Sequence, residues 1–399
     1  MTTTPTIFPP TTSGTLPEDH RDAVLIGRAW LPDVSGPAVI AVRGDSAVDL
    51  TPVFATTNTL VEEVARGVTL EAAIAEAPVV AGLDDLIANT ETAVRDPERP
   101  WLLSPLDLQA VKAAGVTFAA SMLERVIEER AGGAPAEAAA IRDRVNGILG
   151  GSLSDLVPGS DAAVRLKAAL QAEGMWSQYL EVGIGPDAEI FTKAQPMSTV
   201  GTGADAGIFS HSTWNNPEPE IGVVISSTGV VVGATLANDI NLRDFEGRSA
   251  LLLSKAKDNN ASAAVGPFIR LFDDAFSLAD VESAEVSLEI SGPDGFALDD
   301  GSSQARSSRP VAALVEQLVG PHHQYPDGAI LLLGTMFAPT ADRFEHGGGF
   351  THVVGDVVRI STPRLGALVN RIVHSEDCAP WRFGAGALMR NLAGRGLLG

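Results

Sequence analysis

Residues 217–239 read as a single hairpin that carries acid at its open end, and few folds can accommodate such an element. Pro217-Glu-Pro-Glu220 leads into the apolar run 221–225, Ser226-Ser-Thr-Gly229 supplies a turn, and 230–236 returns toward Ala237-Asn-Asp239. Positions i and i+2 of a strand share a face, so Glu218 and Glu220 project together. Pro219 between them offers no amide donor and implies an edge or irregular strand. With Ile225 paired to Val230, Glu218 falls opposite Ala237, and Asp239 emerges two residues further on the same face. Three carboxylates aimed at one point repel unless a cation lies between them, and all-oxygen ligation favours magnesium, calcium or manganese over zinc. A solvated acidic strand face, easily produced by a chain with 50 Asp and Glu, satisfies the same spacing. Arg243 and Asp244 just beyond read either as part of that centre or as a surface ion pair.

The rest of the chain narrows the functional classes. A net charge of -22 argues against nucleic acid, whose recognition draws on clustered Lys and Arg. A small anionic substrate stays open, because one cation with two or three basic groups reverses the field inside a pocket. Cys378 is the single cysteine, which excludes an intrachain disulfide or a thiolate cluster and fits a reducing cytoplasm. The Thr- and Pro-rich start lacks the pattern of a secretory signal, and no run approaches membrane-spanning length.

At 399 residues, one large core plus a smaller domain is expected. Residues 1–19 read as a flexible arm and 20–103 as a small α+β amino-terminal domain with helices around 59–77. Residues 104–399 read as the main domain, with a helical insert over 120–175. From 176 to about 372, short β-branched runs punctuated by glycine indicate a sheet-rich core, and a final helix closes the chain.

The residues then converge on a family. Pro217-Glu-Pro-Glu-Ile-Gly-Val-Val-Ile225, Gly233-Ala-Thr-Leu-Ala-Asn-Asp-Ile-Asn-Leu-Arg-Asp244, Lys257 before Gly266-Pro267, and Tyr325-Pro-Asp-Gly328 through Thr335 closely resemble the fumarylacetoacetate hydrolase superfamily. Gly355-Asp-Val-Val-Arg-Ile360 and Leu365-Gly-Ala-Leu-Val-Asn370 continue the resemblance, in the family's order, over roughly residues 110–372. It implies a sheet-dominated α+β fold, a mixed β-sandwich or roll with flanking helices. It also implies that Glu218, Glu220 and Asp239 ligate Mg2+, with Mn2+ or Ca2+ as substitutes, and that Arg243, Lys257 and Thr335 face a 2-oxo acid. A divalent ion chelated by the acid's carboxylate and keto oxygens stabilises an enolate and acidifies carbon 3.

One departure redirects the expected chemistry. Hydrolytic members carry Gly-x-Asn-Tyr-x-x-His-x-x-Glu, whose His and Glu activate water. Here the stretch is Gly115-Val-Thr-Phe-Ala-Ala-Ser121-Met-Leu-Glu124-Arg125, with serine at the histidine position. Serine without an adjacent base is a poor proton acceptor near neutral pH. The variant resembles the branch that dehydrates 2-keto-3-deoxy sugar acids, as do Trp176-Ser-Gln-Tyr-Leu-Glu181 and Ala387-Leu-Met-Arg-Asn391. The resemblance therefore implies a cytoplasmic hydro-lyase converting 2-keto-3-deoxy-D-xylonate to 2,5-dioxopentanoate. In this reading Glu124, Lys257 and Ser121 are the catalytic group and Arg125 contacts substrate. Two alternatives are a carbon-carbon hydrolase of acylpyruvates or 2,4-diketo-3-deoxy sugar acids, and a metal-stabilised binding protein without turnover. Lys193 reads as a pocket lysine or a surface one. Gly347-Gly-Gly349, between His346 and His352, reads as a flexible stretch able to act as a lid, while a structural role is the commoner case for each histidine. Family members are usually dimers, so a homodimer or dimer of dimers is expected.

Overall fold

The computed structural model describes residues 10–118, 122, 156–172, 174, 176–339, 341–344 and 349–398, and one eleven-stranded sheet dominates it. In chain order the first strands are β1 Leu25–Leu31, β2 Gly36–Arg43, β3 Ser46–Asp49, β4 Val79–Gly82, β5 Trp101–Leu102, β6 Ala110–Gly115 and β7 Glu189–Ala194. There follow β8 Asp205–Ile208, β9 Asn215–Asn216, β10 Pro219–Ile225, β11 Val231–Asp239, β12 Asn241–Leu242 and β13 Ala263–Leu271. The last are β14 Glu285–Ser291, β15 Ala297–Ser303, β16 Ala329–Leu332, β17 Val357–Thr362 and β18 Gly366–His374.

The large sheet runs β4-β3-β2-β1-β13-β11-β10-β16-β6-β7, with β5 beside β1. Strands from residues 20–103 thus join the main sheet through β1 and β13, where Leu25 faces Arg270 and Ile26 faces Ile269. Beyond β7 the chain returns to β13. Val200 donates to the Ala263 carbonyl (3.0 Å) and accepts from the Val265 amide (2.9 Å), a parallel bridge that closes the strands from β13 to β7 into a roll. Ile221, Val223 and Leu331 on one face pack with Leu288, Val358 and Leu368 of the second sheet, ordered β15-β14-β17-β18-β8. On the other face Val224, Ala237, Val265 and Ile330 pack with Leu60 and Val61 of the helix Thr57–Ala65. This is the sheet-dominated α+β architecture anticipated above.

Because β10 is buried along its whole length, between β11 and β16, it is a central strand, contrary to the edge or irregular strand that Pro219 suggested. Proline is tolerated there because it occupies the first position of the strand. The hairpin register also differs from expectation. Ile225 faces Val231 instead of Val230, a one-residue slip that alone would turn Asp239 to the opposite face from the glutamates. A bulge between Val224 and Ile225 adds the second residue of offset, so that Glu220 faces Ala237 and the Asp239 amide bonds to the Glu218 carbonyl at 3.0 Å. Two offsets restore the shared face.

Residues 10–19, expected to belong to a flexible arm, are packed. They include the one-turn helix Thr12–Thr15, and Asp19 binds the guanidinium of Arg270 at 2.6 Å. Helices Thr57–Ala65, Glu71–Glu76 and Ala385–Gly394 occupy anticipated places. Within the expected helical insert, Asp161–Ala172 is helical. Among the described residues, no helix is long and apolar enough to cross a membrane.

Candidate metal centre

Glu218, Glu220 and Asp239 converge. Each offers a carboxylate oxygen, and these atoms lie within 4.8 Å of one another. All three residues are buried, at 2%, 0% and 1% exposure, which removes the solvated-face alternative. The Gly334 amide donates to Glu220 Oε2 (2.8 Å) and the Thr335 hydroxyl to Oε1 (3.2 Å). Asn241 Nδ2 donates to Glu218 Oε1 at 3.0 Å, and Asn238 Oδ1 accepts from the Glu218 amide at 3.0 Å. The carboxylates of Glu218 and Glu220 are therefore each oriented by donors from outside the triad. The hairpin supplies the acids, and the end of β16 holds one of them.

Two lysines complete the cluster. Lys257 Nζ sits between Glu218 Oε2 (2.9 Å) and Asp239 Oδ1 (3.0 Å). Lys193, on β7, reaches Asp239 Oδ1 (2.7 Å) and the Ile240 carbonyl (2.9 Å). Lys193 is fully buried, so it is no surface lysine. Its Nζ bonds a carboxylate of the triad and a backbone carbonyl, which gives it the geometry of a positioning group for Asp239.

The electrostatics single out one of the three acids. Burial pushes Glu220 well above the usual carboxylate range, and the charges of Asp239 and Glu218 push it further. Burial also disfavours ionised Asp239, but the Lys193 and Lys257 ammonium groups outweigh it and hold this acid low. For Lys257, burial is overcome by Asp239 and Glu218, which raise it, whereas burial prevails at Lys193 and lowers it. Crowding of three carboxylates in a water-poor site is thus met at Glu220, whose protonated form is favoured. A divalent cation relieves that crowding. The oxygen-only donor set suits magnesium, manganese or calcium, and the buried, unpartnered Asn241 Oδ1 beside Glu218 offers an acceptor for water on such an ion.

Of the other anticipated residues, Thr335 is half-buried and bound to Glu220. Arg243 opens the helical turn Arg243–Glu246 with its guanidinium over the Trp214 ring at 5.4 Å. Asp244 is no simple surface group, since it accepts from Ser212 Oγ (2.7 Å) and the Thr213 amide (2.9 Å). Ser121, Glu124 and Arg125 lie outside the described residues, as does His346. The roles of Asn238, Asn241, Gly334 and Trp214 were not read from the sequence. For the two asparagines, a signal existed in their placement immediately beside Asp239 and Ile240.

Of the two readings of His352, flank of a lid or structural histidine, the structure supports the second, since it is part of a buried cluster. Its Nδ1 lies 2.9 Å from Asp356, which also binds Arg343 at 2.7 Å, and its amide donates to Asn215 Oδ1. This cluster ties the segment after Gly349 to β9, which pairs with β12 next to the carboxylates.

Known proteins share this arrangement at the level of family and fold. Residues 181–373 match the fumarylacetoacetate (FAA) hydrolase C-terminal family. The chain is 30% identical over 206 residues to a Haloferax volcanii protein named "Probable 2-keto-3-deoxyxylonate dehydratase", covering 52% of this chain and 67% of that one. It is 29% identical over 184 residues to the 2-dehydro-3-deoxy-D-arabinonate dehydratase of Saccharolobus solfataricus, covering 46% of this chain and 58% of that relative. Among solved structures, a 2-keto-3-deoxy-D-arabinonate dehydratase complexed with magnesium and 2,5-dioxopentanoate superposes with a TM-score of 0.60 at 19% identity, over 88% of this chain and 99% of that one. At that identity the superposition establishes the fold.

Proposed function

Because the chain belongs to the fumarylacetoacetate hydrolase family, we propose that it is a divalent-metal-dependent hydro-lyase that removes water from a 2-keto-3-deoxy-pentonate to give 2,5-dioxopentanoate. The observation that carries this reading is the buried triad of Glu218, Glu220 and Asp239 flanked by two lysines. Those three carboxylates would hold the cation. When bound, a divalent ion supplies a Lewis acid for the carboxylate and keto oxygens of a 2-oxo acid, which favours loss of a proton from carbon 3.

The chain's own residues account for the rest. Lys257, held as an ammonium by two carboxylates, is a fixed positive charge and donor suited to an anionic substrate, and a reluctant proton donor. Arg243 adds a second cation for the substrate carboxylate, steadied over Trp214. Lys193 holds Asp239 in its ligating orientation, and Thr335 does the same for Glu220. Glu124 is the proposed base at carbon 3. The carbon-4 hydroxyl departs as water, taking up a proton that balances the one Glu124 removed, and leaves a carbon 3 to carbon 4 double bond. A proton shift from carbon 5 to carbon 3, followed by enol-to-aldehyde tautomerisation, then yields the dioxo acid. Ser121, where hydrolytic relatives carry histidine, disfavours carbon-carbon cleavage by activated water. The relatives named as dehydratases support the same choice.

We further propose that the protein acts in the cytoplasm as at least a homodimer, which light scattering tests directly. The activity is tested by supplying 2-keto-3-deoxy-D-xylonate and Mg2+ and following 2,5-dioxopentanoate with a coupled NADP-dependent semialdehyde dehydrogenase. Turnover that stops with EDTA is expected. No product from this acid, together with pyruvate from an acylpyruvate, overturns the reading.

A further inference from the structure

A second pocket lies apart from the carboxylates, where β1, residues 197–201 and the loop 378–383 meet, with a volume of about 350 Å3. That is within the range of small-ligand sites. Its wall is aromatic: Trp30, Trp101 and Trp381, three of the chain's five tryptophans, line it together with Phe383. Trp30 and Trp101 stack with centroids 5.8 Å apart, and Phe383 meets Trp30 edge-on at 5.2 Å. Trp381 at the rim stays 47% exposed. The shape is set by the chain itself, since Met197 and Ala261 in the wall hold φ of +68° and +60°, backbone that residues with a side chain rarely adopt.

The pocket's two inner arginines differ. Arg28 is matched: it donates to the Ser104 and Leu106 carbonyls and lies 4.0 Å from Asp107. Arg95 is not. Its guanidinium lies 4.9 Å over the Trp101 ring, Nη2 donates to the Thr90 carbonyl at 2.5 Å, and Nε is buried with no partner. No carboxylate among the described residues pairs with it. Burial pulls this guanidinium down to about 10, against the pull of Asp205, a carboxylate of the same pocket wall that Arg371 neutralises at 2.7 Å.

We propose that this pocket binds a small aromatic carboxylate, its ring against the tryptophans and its anionic group on Arg95. A half-buried guanidinium with no carboxylate in ion-pair contact favours an anion. Flat indole faces favour an unsaturated ring over an aliphatic chain. The site is distinct in chemistry from the triad, which presents carboxylates and lysines. In a chain of net charge -22, such anion binding has to be local.

The test uses benzoate as the probe, titrated by calorimetry into the Mg2+-loaded protein. Cyclohexanecarboxylate serves as the non-aromatic control and benzyl alcohol as the uncharged one. Saturable 1:1 binding of benzoate is expected, weakened about tenfold or more in Arg95→Leu and in Trp101→Leu, with both controls correspondingly weaker. Glu220→Gln, at the metal centre, leaves benzoate binding unchanged. If Arg95→Leu fails to fold, the exposed-rim variant Trp381→Ala, with quenching of tryptophan fluorescence as readout, decides the question in its place. Absence of saturable binding to wild type up to about 10 mM, or equal affinity in the pocket variants, overturns the proposal. So does loss of benzoate binding in Glu220→Gln, which assigns it to the metal centre. Dissociation of an oligomer by Trp381→Ala without any benzoate binding assigns the pocket to a second copy of the chain and overturns it as well. Dehydration of 2-keto-3-deoxy-D-xylonate is untouched in Arg95→Leu, so failure here is distinguishable from failure of the proposed function.

Discussion

Lys193 and Asp239 form an ion pair of 2.7 Å in which the lysine side chain has no solvent exposure. Removing one partner of a buried pair leaves the other charge uncompensated, which costs about 3–5 kcal/mol. Lys193→Met is therefore expected to lower stability by about that amount in EDTA. The loss shrinks in saturating Mg2+, because the cation then compensates Asp239. Urea unfolding in both conditions reads the difference, and an equal loss with and without metal contradicts the assignment of Asp239 as a ligand.

Glu220 makes metal binding a proton-releasing event. Its carboxyl is raised above the ordinary 4.5 in the metal-free protein, so the stability linked to its protonation is fully present below about pH 4.5 and declines as pH rises through the folded value. Mg2+ takes the ionised form and displaces the proton. Calorimetric titration near pH 7 in buffers of different ionisation enthalpy should give different apparent heats, with up to about one proton released per ion. Identical heats in all buffers count against Glu220 as a ligand.

Gly334 has a backbone role at the centre. It holds φ of +99°, its amide donates to Glu220 Oε2, and a Cβ built on it collides with Thr117 Oγ1. Gly334→Ala is expected to destabilise the protein by about 1–3 kcal/mol and to weaken Mg2+ binding. A melting curve with a metal titration checks both effects. Unchanged Mg2+ affinity removes this amide from the account.

Much of the centre was legible because Glu218, Glu220 and Asp239 sit on one local hairpin, where strand periodicity places side chains on faces. The true register was not, since it depends on a bulge between Val224 and Ile225 that strand periodicity does not announce. Lys193 was ambiguous in sequence for a related reason: its partner lies far along the chain, and only closure of the roll brings β7 to Asp239. The amino-terminal strands read locally as a separate small domain, yet β1 pairs with β13, a contact no local pattern announces. Residues 10–19 looked like a free arm by composition, and the Asp19 to Arg270 pair that anchors them is likewise long-range.

Arg343, with no side-chain exposure, is clamped by Asp356 at 2.7 Å and Asp294 at 2.9 Å. Burial works against an ionised Asp356, but hydrogen bonds from His352 and Arg343 hold it below the usual carboxylate value. Its contribution is thus present above about pH 4 and lost as pH falls through the folded value. Asp356→Asn should cost about 3 kcal/mol at neutral pH and flatten the acid limb of the stability curve. Chemical unfolding between pH 3 and pH 7 measures both, in steps of about one unit. An unchanged acid limb removes Asp356 from the account.

The central claim is that Glu218, Glu220 and Asp239 hold a cation that makes carbon 3 of a 2-oxo acid acidic. Proton exchange at that carbon in D2O, followed by NMR on 2-oxobutanoate, which has no carbon-4 hydroxyl to lose, isolates this step from dehydration. The account predicts exchange above the solution rate with Mg2+ and wild-type protein, abolished by EDTA and in Glu220→Gln. Exchange that persists in EDTA, or that never exceeds the solution rate while the enzyme still turns over its sugar acid, contradicts it.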